Sequence, residues 1–374
     1  MKILFVHLLN NYSGSPQVLA NILKELCLYK EYNIGLLTSK SDGCLSGIPN
    51  IVYHNNYYKW SNKKLILLFW LLLSQVYMFL FILLKTNNID ILYINTILPF
   101  SVAIAGKLKH KKILYHVHEV YIKPNILQKI MCIVMEKTAN KIISVSQYVS
   151  EHIKRSSVVI YNSTSREFET AARKIINETD NQIITRKFSK KNILMVSSLK
   201  RYKGLDVFVS LARKCQDYSF SLIVSSSIND IKSFFSNTKL PDNLHLIPEQ
   251  SNLLPYYLEA SLLINLSLPD LCIETFGLTL LEGMQFGTPC IAPDFGGPRE
   301  IILDGENGFL VNPYDEDTVI KSIDTILNSE KKYKVFAENV MRLKDRFSID
   351  VSMNILLNEL NSLYYENRVY LTGT

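Results

Sequence analysis

Residues 261–297 read SLLINLSLPDLCIETFGLTLLEGMQFGTPCIAPDFGG, and three segments of different periodicity follow one another within them. Ser261–Leu266 is a continuous apolar run of strand length. Leu278–Gln285 has the spacing of a helix, closed by Gly287 and Pro289, and Cys290–Ala292 begins a second strand. This is a βαβ unit, and it predicts a parallel sheet whose ligands bind at the carboxyl ends of the strands.

The join before the helix carries the chemistry. Glu274 is followed by Thr275-Phe276-Gly277, then by Leu278-Thr279 opening the helix, with Glu282 further along it. The first N–H groups of a helix have no partner within it, and the macrodipole behind them favours a phosphate there. Gly277 allows close approach to the backbone. Glu282 lies one turn past Leu278 and Glu274 projects from the other side, so two carboxylates flank a diphosphate-sized site. Hydroxyl-rich groups at both ends of a diphosphate describe a nucleotide sugar. The plainer reading of the same residues makes Glu274 a solvated loop acid and Glu282 a helix-surface acid.

The pattern E-x-F-G-x-x-x-x-E is followed by G-T-P-C-I-A, G-G-P-R-E-I and D-G-E-N-G-F-L-V, and these ordered blocks resemble the retaining glycosyltransferases of family 4. The resemblance is strong from Val196 to Leu327 and weaker before that. It implies an α/β protein with the GT-B fold: two Rossmann-like, doubly wound parallel-sheet domains facing a cleft, with C-terminal helices crossing back to the first domain. The expected division is 1–168 for an acceptor-binding domain, 169–191 for a linker, 192–345 for a nucleotide-sugar-binding domain, and 346–374 for the returning helices.

In the first half, Lys2–Leu9 reads as a buried strand, Pro16–Tyr29 as an amphipathic helix and Tyr32–Thr38 as a second strand. The loop Asn10–Ser15 is too poor in glycine for a dinucleotide fingerprint. By resemblance, Gly14 in this loop faces the donor phosphates. Lys112–His116 is a strand with His118-Glu119 after it; the resemblance places a histidine here near the transferred sugar, and His118 fits better than His116. Lys141–Ser146 and Val158–Asn162 are further strands, the latter followed by Ser163 where the family has glycine.

In the second half, Asn192–Ser197 is a strand, followed by Leu199-Lys200-Arg201-Tyr202-Lys203-Gly204 and a helix from Leu205. The resemblance puts cations here against the donor diphosphate. Lys203-Gly204 match, but Ser198 stands where the family has arginine, and Lys200 or Arg201 is the expected substitute. The implied site is therefore Glu274, His118 and Lys203 for catalysis, with Gly14, Lys203, Phe276, Gly277, Leu278, Thr279 and Glu282 on the donor. Glu274 would contact the sugar, Glu282 the ribose. No cofactor or metal is implied: the donor is a UDP- or GDP-linked sugar, and the acidic run Asp315-Glu316-Asp317 reads as helix capping. A sugar-nucleotide-binding protein without turnover and an epimerase of similar fold are the competing classes.

The remaining features concern location. A chain of 374 residues, 48% hydrophobic and 20% charged, fits two globular domains. Its six cysteines lack C-x-x-C spacing and no secretory segment opens it, which favours a reducing cytoplasm. The net charge of +7 favours anionic partners, but there is no zinc spacing, RNP motif or basic helix for nucleic acid. Leu65–Leu84, LILLFWLLLSQVYMFLFILL, is long enough to cross a membrane. Strands before and after it are expected in one sheet, which a single crossing would divide. A helix completely buried, or lying partly in a membrane interface, is the expectation. It points to a peripheral enzyme on the inner face of the membrane, acting on a saccharide or lipid-linked saccharide.

Overall fold

The computed structural model describes residues 1–178 and 182–366. It divides into two compact units, Met1–Asn162 with the C-terminal segment from Asp350, and Ser163–Ile349.

The first unit holds a seven-stranded sheet: β1 (Lys2–Val6), β2 (Asn33–Ser39), β3 (Ile51–Asn56), β4 (Ile91–Asn95), β5 (Lys112–Val117), β6 (Lys141–Ser144) and β7 (Val158–Val159). Their order is β3-β2-β1-β4-β5-β6-β7, and neighbouring strands are parallel. The second unit holds six strands: β8 (Asn192–Ser197), β9 (Ser219–Val224), β10 (Leu244–Ile247), β11 (Leu262–Ile264), β12 (Cys290–Pro293) and β13 (Gly308–Val311). Their order is β10-β9-β8-β11-β12-β13, again parallel throughout. Every residue of β4 and β11 is buried, as strands covered on both faces require. Both sheets reverse their winding in the middle, between β1 and β4 in one and between β8 and β11 in the other. In such sheets the crevice at the reversal is the ligand position.

Within the expected linker over 169–191 the described residues are largely helical. Arg166–Glu178 and Ile183–Lys190 are helices of the second unit; residues 179–181 of the expected linker, and 367–374 of the expected C-terminal helices, lie outside the described residues. The polar sequence here misleads because the anchoring residues include charged ones, Glu169 and Lys187, which are buried. The helix Ile349–Tyr365 runs beside the first sheet, where the Lys141 ammonium lies 2.6 Å from Glu359 and the Ser352 hydroxyl donates to the Tyr161 carbonyl at 2.8 Å.

Leu65–Leu84 lies within the helix Lys64–Lys85, which connects β3 to β4. Because β1 and β4 are hydrogen-bonded neighbours, the strands on either side of this helix share one sheet. Full burial is excluded: only Ser74, Gln75, Met78 and Ile82 are buried. The helix is inverted relative to an ordinary surface helix, since its two plainly polar residues face inward. The Gln75 side chain accepts from the Ser101 N–H at 3.1 Å and donates to the Leu98 carbonyl at 3.2 Å, while Leu65, Phe69, Leu72, Val76, Leu80 and Leu84 face outward. Among the described residues this is the one helix long and apolar enough to cross a membrane.

Candidate functional site

In the second unit, Lys203 follows β8 and Glu274 follows β11, so the reversal of the sheet brings them together. The Lys203 ammonium lies 3.0 Å from Glu274 Oε2 and 3.4 Å from the Ser267 hydroxyl. The Asn265 amide also donates to Glu274 Oε2, at 3.4 Å. Burial opposes ionisation of Glu274, but the Lys203 charge and the hydrogen bonds from Lys203, Asn265 and the Phe276 N–H outweigh it and hold the carboxyl below its ordinary value. Burial likewise opposes the Lys203 charge, and Glu274 more than compensates, holding the ammonium above the ordinary lysine range. Both groups are therefore charged at neutral pH.

Three glycines make this geometry accessible. Gly204 has φ +78° and packs so closely that a Cβ would lie 2.1 Å from the Leu266 carbonyl oxygen. The G-G of the G-G-P-R-E-I block lies under the acidic loop: the Gly297 N–H donates to the Glu274 carbonyl at 2.9 Å, and a Cβ on Gly296 would reach within 2.3 Å of that oxygen. These glycines fix the backbone of Glu274.

Leu278–Met284 is helical, as read, and no side chain caps its Gly277 end. Leu278 and Thr279 are partly exposed there. Phe276 requires a correction: its side chain is buried, with its ring 5.9 Å from that of Phe347, so only its backbone can face a ligand. Glu282 is held from behind by Tyr257, whose hydroxyl donates to Oε2. Burial pushes the Glu282 carboxyl up to about 7, against the opposing effect of the Tyr257 hydrogen bond. Arg201 is turned away, paired with both oxygens of Asp206 at 2.8 and 2.7 Å and lying over the Phe234 ring. Of the two expected substitutes for the arginine missing at Ser198, exposed Lys200 is the uncommitted one.

The residues that the sequence reading left out are the supports. Asn265, Ser267 and Tyr257 have no spacing pattern relative to the two glutamates. Lys187 is more hidden still: its ammonium is buried against the Thr288 hydroxyl at 2.6 Å and the Phe286 and Tyr257 carbonyls at 2.9 and 3.3 Å. Burial lowers it to about 7.

The first unit gathers its polar residues at the other reversal. His7 follows β1, Asn95 ends β4 and His118 follows β5. His118 Nε2 lies 2.9 Å from Asn95 Oδ1, and Asn95 Nδ2 lies 3.0 Å from His7 Nδ1 and 3.2 Å from the Ser15 carbonyl. Gly14 opens the helix Gly14–Leu26, so Asn95 joins the start of that helix to His118. His116 points elsewhere, its Nδ1 2.8 Å from the Tyr93 hydroxyl. Burial, reinforced by His116 and His7, lowers His118 well below the ordinary histidine value, so the imidazole is neutral at physiological pH. Burial also raises the adjacent Glu119 to about 7.

Residues 176–342, most of the second unit, match the family model of glycosyl transferases group 1. An uncharacterised glycosyltransferase of Methanocaldococcus jannaschii is 25% identical over 279 residues, 71% of this chain and 73% of the relative. An uncharacterised 41.2 kDa protein in cps region of Klebsiella pneumoniae is 24% identical over 304 residues, 73% and 80% of the two chains. The crystal structure of Anabaena HepE in complex with UDP and glucose superposes with a TM-score of 0.74 over 97% of this chain and 100% of that one, at 19% identity. The two parallel-sheet units thus have the GT-B fold. Over residues 176–342 the chain is similar to the glycosyl transferases of group 1.

Glu282 generates a pH prediction. Its folded value of about 7 lies above the ordinary 4.5, so the folded chain retains a proton that the unfolded chain has lost. This contribution to stability is present in full below the unfolded value and is lost as the pH rises through about 7. Lys187 has the opposite sign: its penalty is full below about 7 and is relieved as the unfolded lysine also loses its charge. Comparison with Glu282→Gln isolates the carboxyl. The melting temperature of the wild type should fall relative to the variant between about pH 4.5 and 7, and a difference independent of pH would contradict the assignment.

Proposed function

We propose that this chain is a glycosyltransferase of family 4 that transfers a sugar, with retention at the anomeric carbon, from a UDP- or GDP-linked donor to a saccharide acceptor carried on lipid. The observation that supports this most strongly is the Lys203–Glu274 pair at the reversal of the second sheet. Lys203 is a fixed cation for the leaving diphosphate, assisted by Lys200 and by the N–H groups of Leu278 and Thr279. Glu274 turns to the sugar hydroxyls and Glu282 to the ribose. Catalysis then comes from charge neutralisation and positioning in a site that is already arranged. The charge of the leaving group is met by these donors, so no metal is required. Within the first unit, neutral His118 is the candidate for sugar hydroxyls and Gly14 for phosphate.

Nucleotide-sugar binding is supported by the HepE complex with UDP and glucose. Glu274→Gln preserves size while removing the carboxylate, and turnover should fall about 10²-fold or more, as for removal of one transition-state contact. The same assay with wild type, read by NMR of the anomeric proton and repeated with EDTA, should give retained configuration at an unchanged rate. Near-wild-type turnover of Glu274→Gln would remove that residue from the mechanism, and an inverted product would remove the family assignment.

The lipid-linked acceptor and a place in surface polysaccharide or glycoconjugate assembly are supported by the outward apolar face of Lys64–Lys85. Trp60 and the lysines 59, 63, 64 and 85 flank it, a composition suited to the interface of an anionic membrane on the cytoplasmic side. The protein should float with vesicles containing anionic lipid, and Leu72→Glu combined with Val76→Glu should abolish flotation. Recovery of the wild-type protein in the soluble fraction at low salt, without detergent, would refute membrane docking.

A further inference from the structure

We infer that Asn95 is a positioning residue that fixes the tautomer of His118 and so determines which imidazole nitrogen meets the substrate. The inference rests on the reading of His118 as a site residue.

The Ser15 carbonyl can only accept a hydrogen bond. It lies 3.2 Å from one end of the Asn95 amide, and that end must therefore be the nitrogen. The other end, the oxygen, then faces His118 Nε2 at 2.9 Å. An amide oxygen has no proton to donate, so Nε2 of His118 carries the hydrogen. A neutral imidazole has one N–H only, and Nδ1 is left with a bare lone pair. Neutrality follows from burial beside two further imidazoles: the His116 ring centroid is 4.4 Å from that of His118, and His7 is bonded to the other side of Asn95. Glu119 is the neighbouring carboxyl and Tyr93 the hydroxyl behind His116.

Asn95 is fully buried and cannot rotate without breaking three contacts. Its amide sets both histidines at once, since Nδ2 donates to His7 Nδ1 and leaves the His7 proton on Nε2. His118 consequently acts toward a sugar hydroxyl as a hydrogen-bond acceptor through Nδ1. Through Ser15, the same amide ties this orientation to the start of the helix that begins at Gly14.

The test uses the full-length protein labelled with nitrogen-15 in its histidines. Two-bond proton–nitrogen correlations distinguish the tautomers, and the His118 signals are assigned by their loss in His118→Gln. Wild type should show a protonated Nε2 and a bare Nδ1 on His118, and Asn95→Ala should show a mixture. A protonated Nδ1 in the wild type, or an unchanged tautomer in Asn95→Ala, would overturn the inference. If Asn95→Ala does not fold, Asn95→Asp serves: a carboxylate only accepts, so His118 should keep its Nε2 proton while His7 acquires one on Nδ1. An unaltered His7 would then overturn the inference.

Kinetics add a second arm. Turnover of Asn95→Ala should drop on the order of tenfold or more with the donor KM little changed, as when a group orienting a functional histidine is removed. It should drop no further in a His118→Ala background, because the two act as one unit. Multiplicative losses would show that Asn95 acts independently. Wild-type turnover in His118→Ala would instead defeat the functional reading, while the tautomer arm would still report on Asn95.

Discussion

The ion pair between Lys203 and Glu274 is the interaction on which the second unit's site depends. Neither charge sits comfortably in its surroundings alone, since burial opposes both, and each is kept ionised by the other. Removing one partner of such a pair leaves an uncompensated charge behind, which costs more than the pair itself contributes. The surrounding structure reads as provision for that pair. β8 and β11 deliver the two loops to the same crevice, Gly204 lets one loop approach the Leu266 backbone, and Gly296-Gly297 clamp the other at the Glu274 carbonyl. The protein thus maintains a fixed ammonium, balanced by its carboxylate partner, before any anion arrives. On the proposed function, an arriving diphosphate would meet a cation that needs little rearrangement, and the carboxylate beside it would turn to the sugar hydroxyls.

The first unit uses the same topology for a different chemistry. At its reversal the groups are neutral imidazoles joined by a buried amide, and their directions matter more than their charge. Burial keeps His7, His116 and His118 uncharged, so this crevice holds neutral hydrogen-bonding groups where the second unit holds an ion pair. The two sheets have the same kind of winding, and their contrasting sites arise from the side chains placed at the strand ends.

Much of this was legible in the sequence because parallel strands buried on both faces read as unbroken apolar runs. Asn192–Ser197 appears with those bounds, and the block E-x-F-G-x-x-x-x-E located Glu274, Gly277 and Glu282. One edge strand of each sheet escaped notice. IVYHNN at β3 is half exposed and polar at its end, and GFLV at β13 is only four residues long. The helices in 166–190 were hidden by their charge, since the residue that anchors the second of them is a lysine. Phe276 belonged to the motif, yet its ring serves the core. Tyr257 and Asn95 could not be found by spacing at all, because each reaches its partner through the fold: 25 residues separate Tyr257 from Glu282, and 23 separate Asn95 from His118. The apolar helix shows a further limit. Composition showed that it was too hydrophobic for one packed face, but only the structure shows that its glutamine points inward and its leucines outward.

The central claim is that Lys203, Glu274 and Glu282 form a nucleotide-sugar site, and the most direct measurement is the thermal stability of the purified protein against a panel of UDP-, GDP- and ADP-sugars without added metal. A donor present at about 100 times its dissociation constant adds about 2.7 kcal/mol, a shift of several degrees. The account predicts stabilisation by one nucleotide class, abolished in Lys203→Ala and weakened in Glu282→Ala. No shift with any donor, or a shift that survives both substitutions, would contradict it.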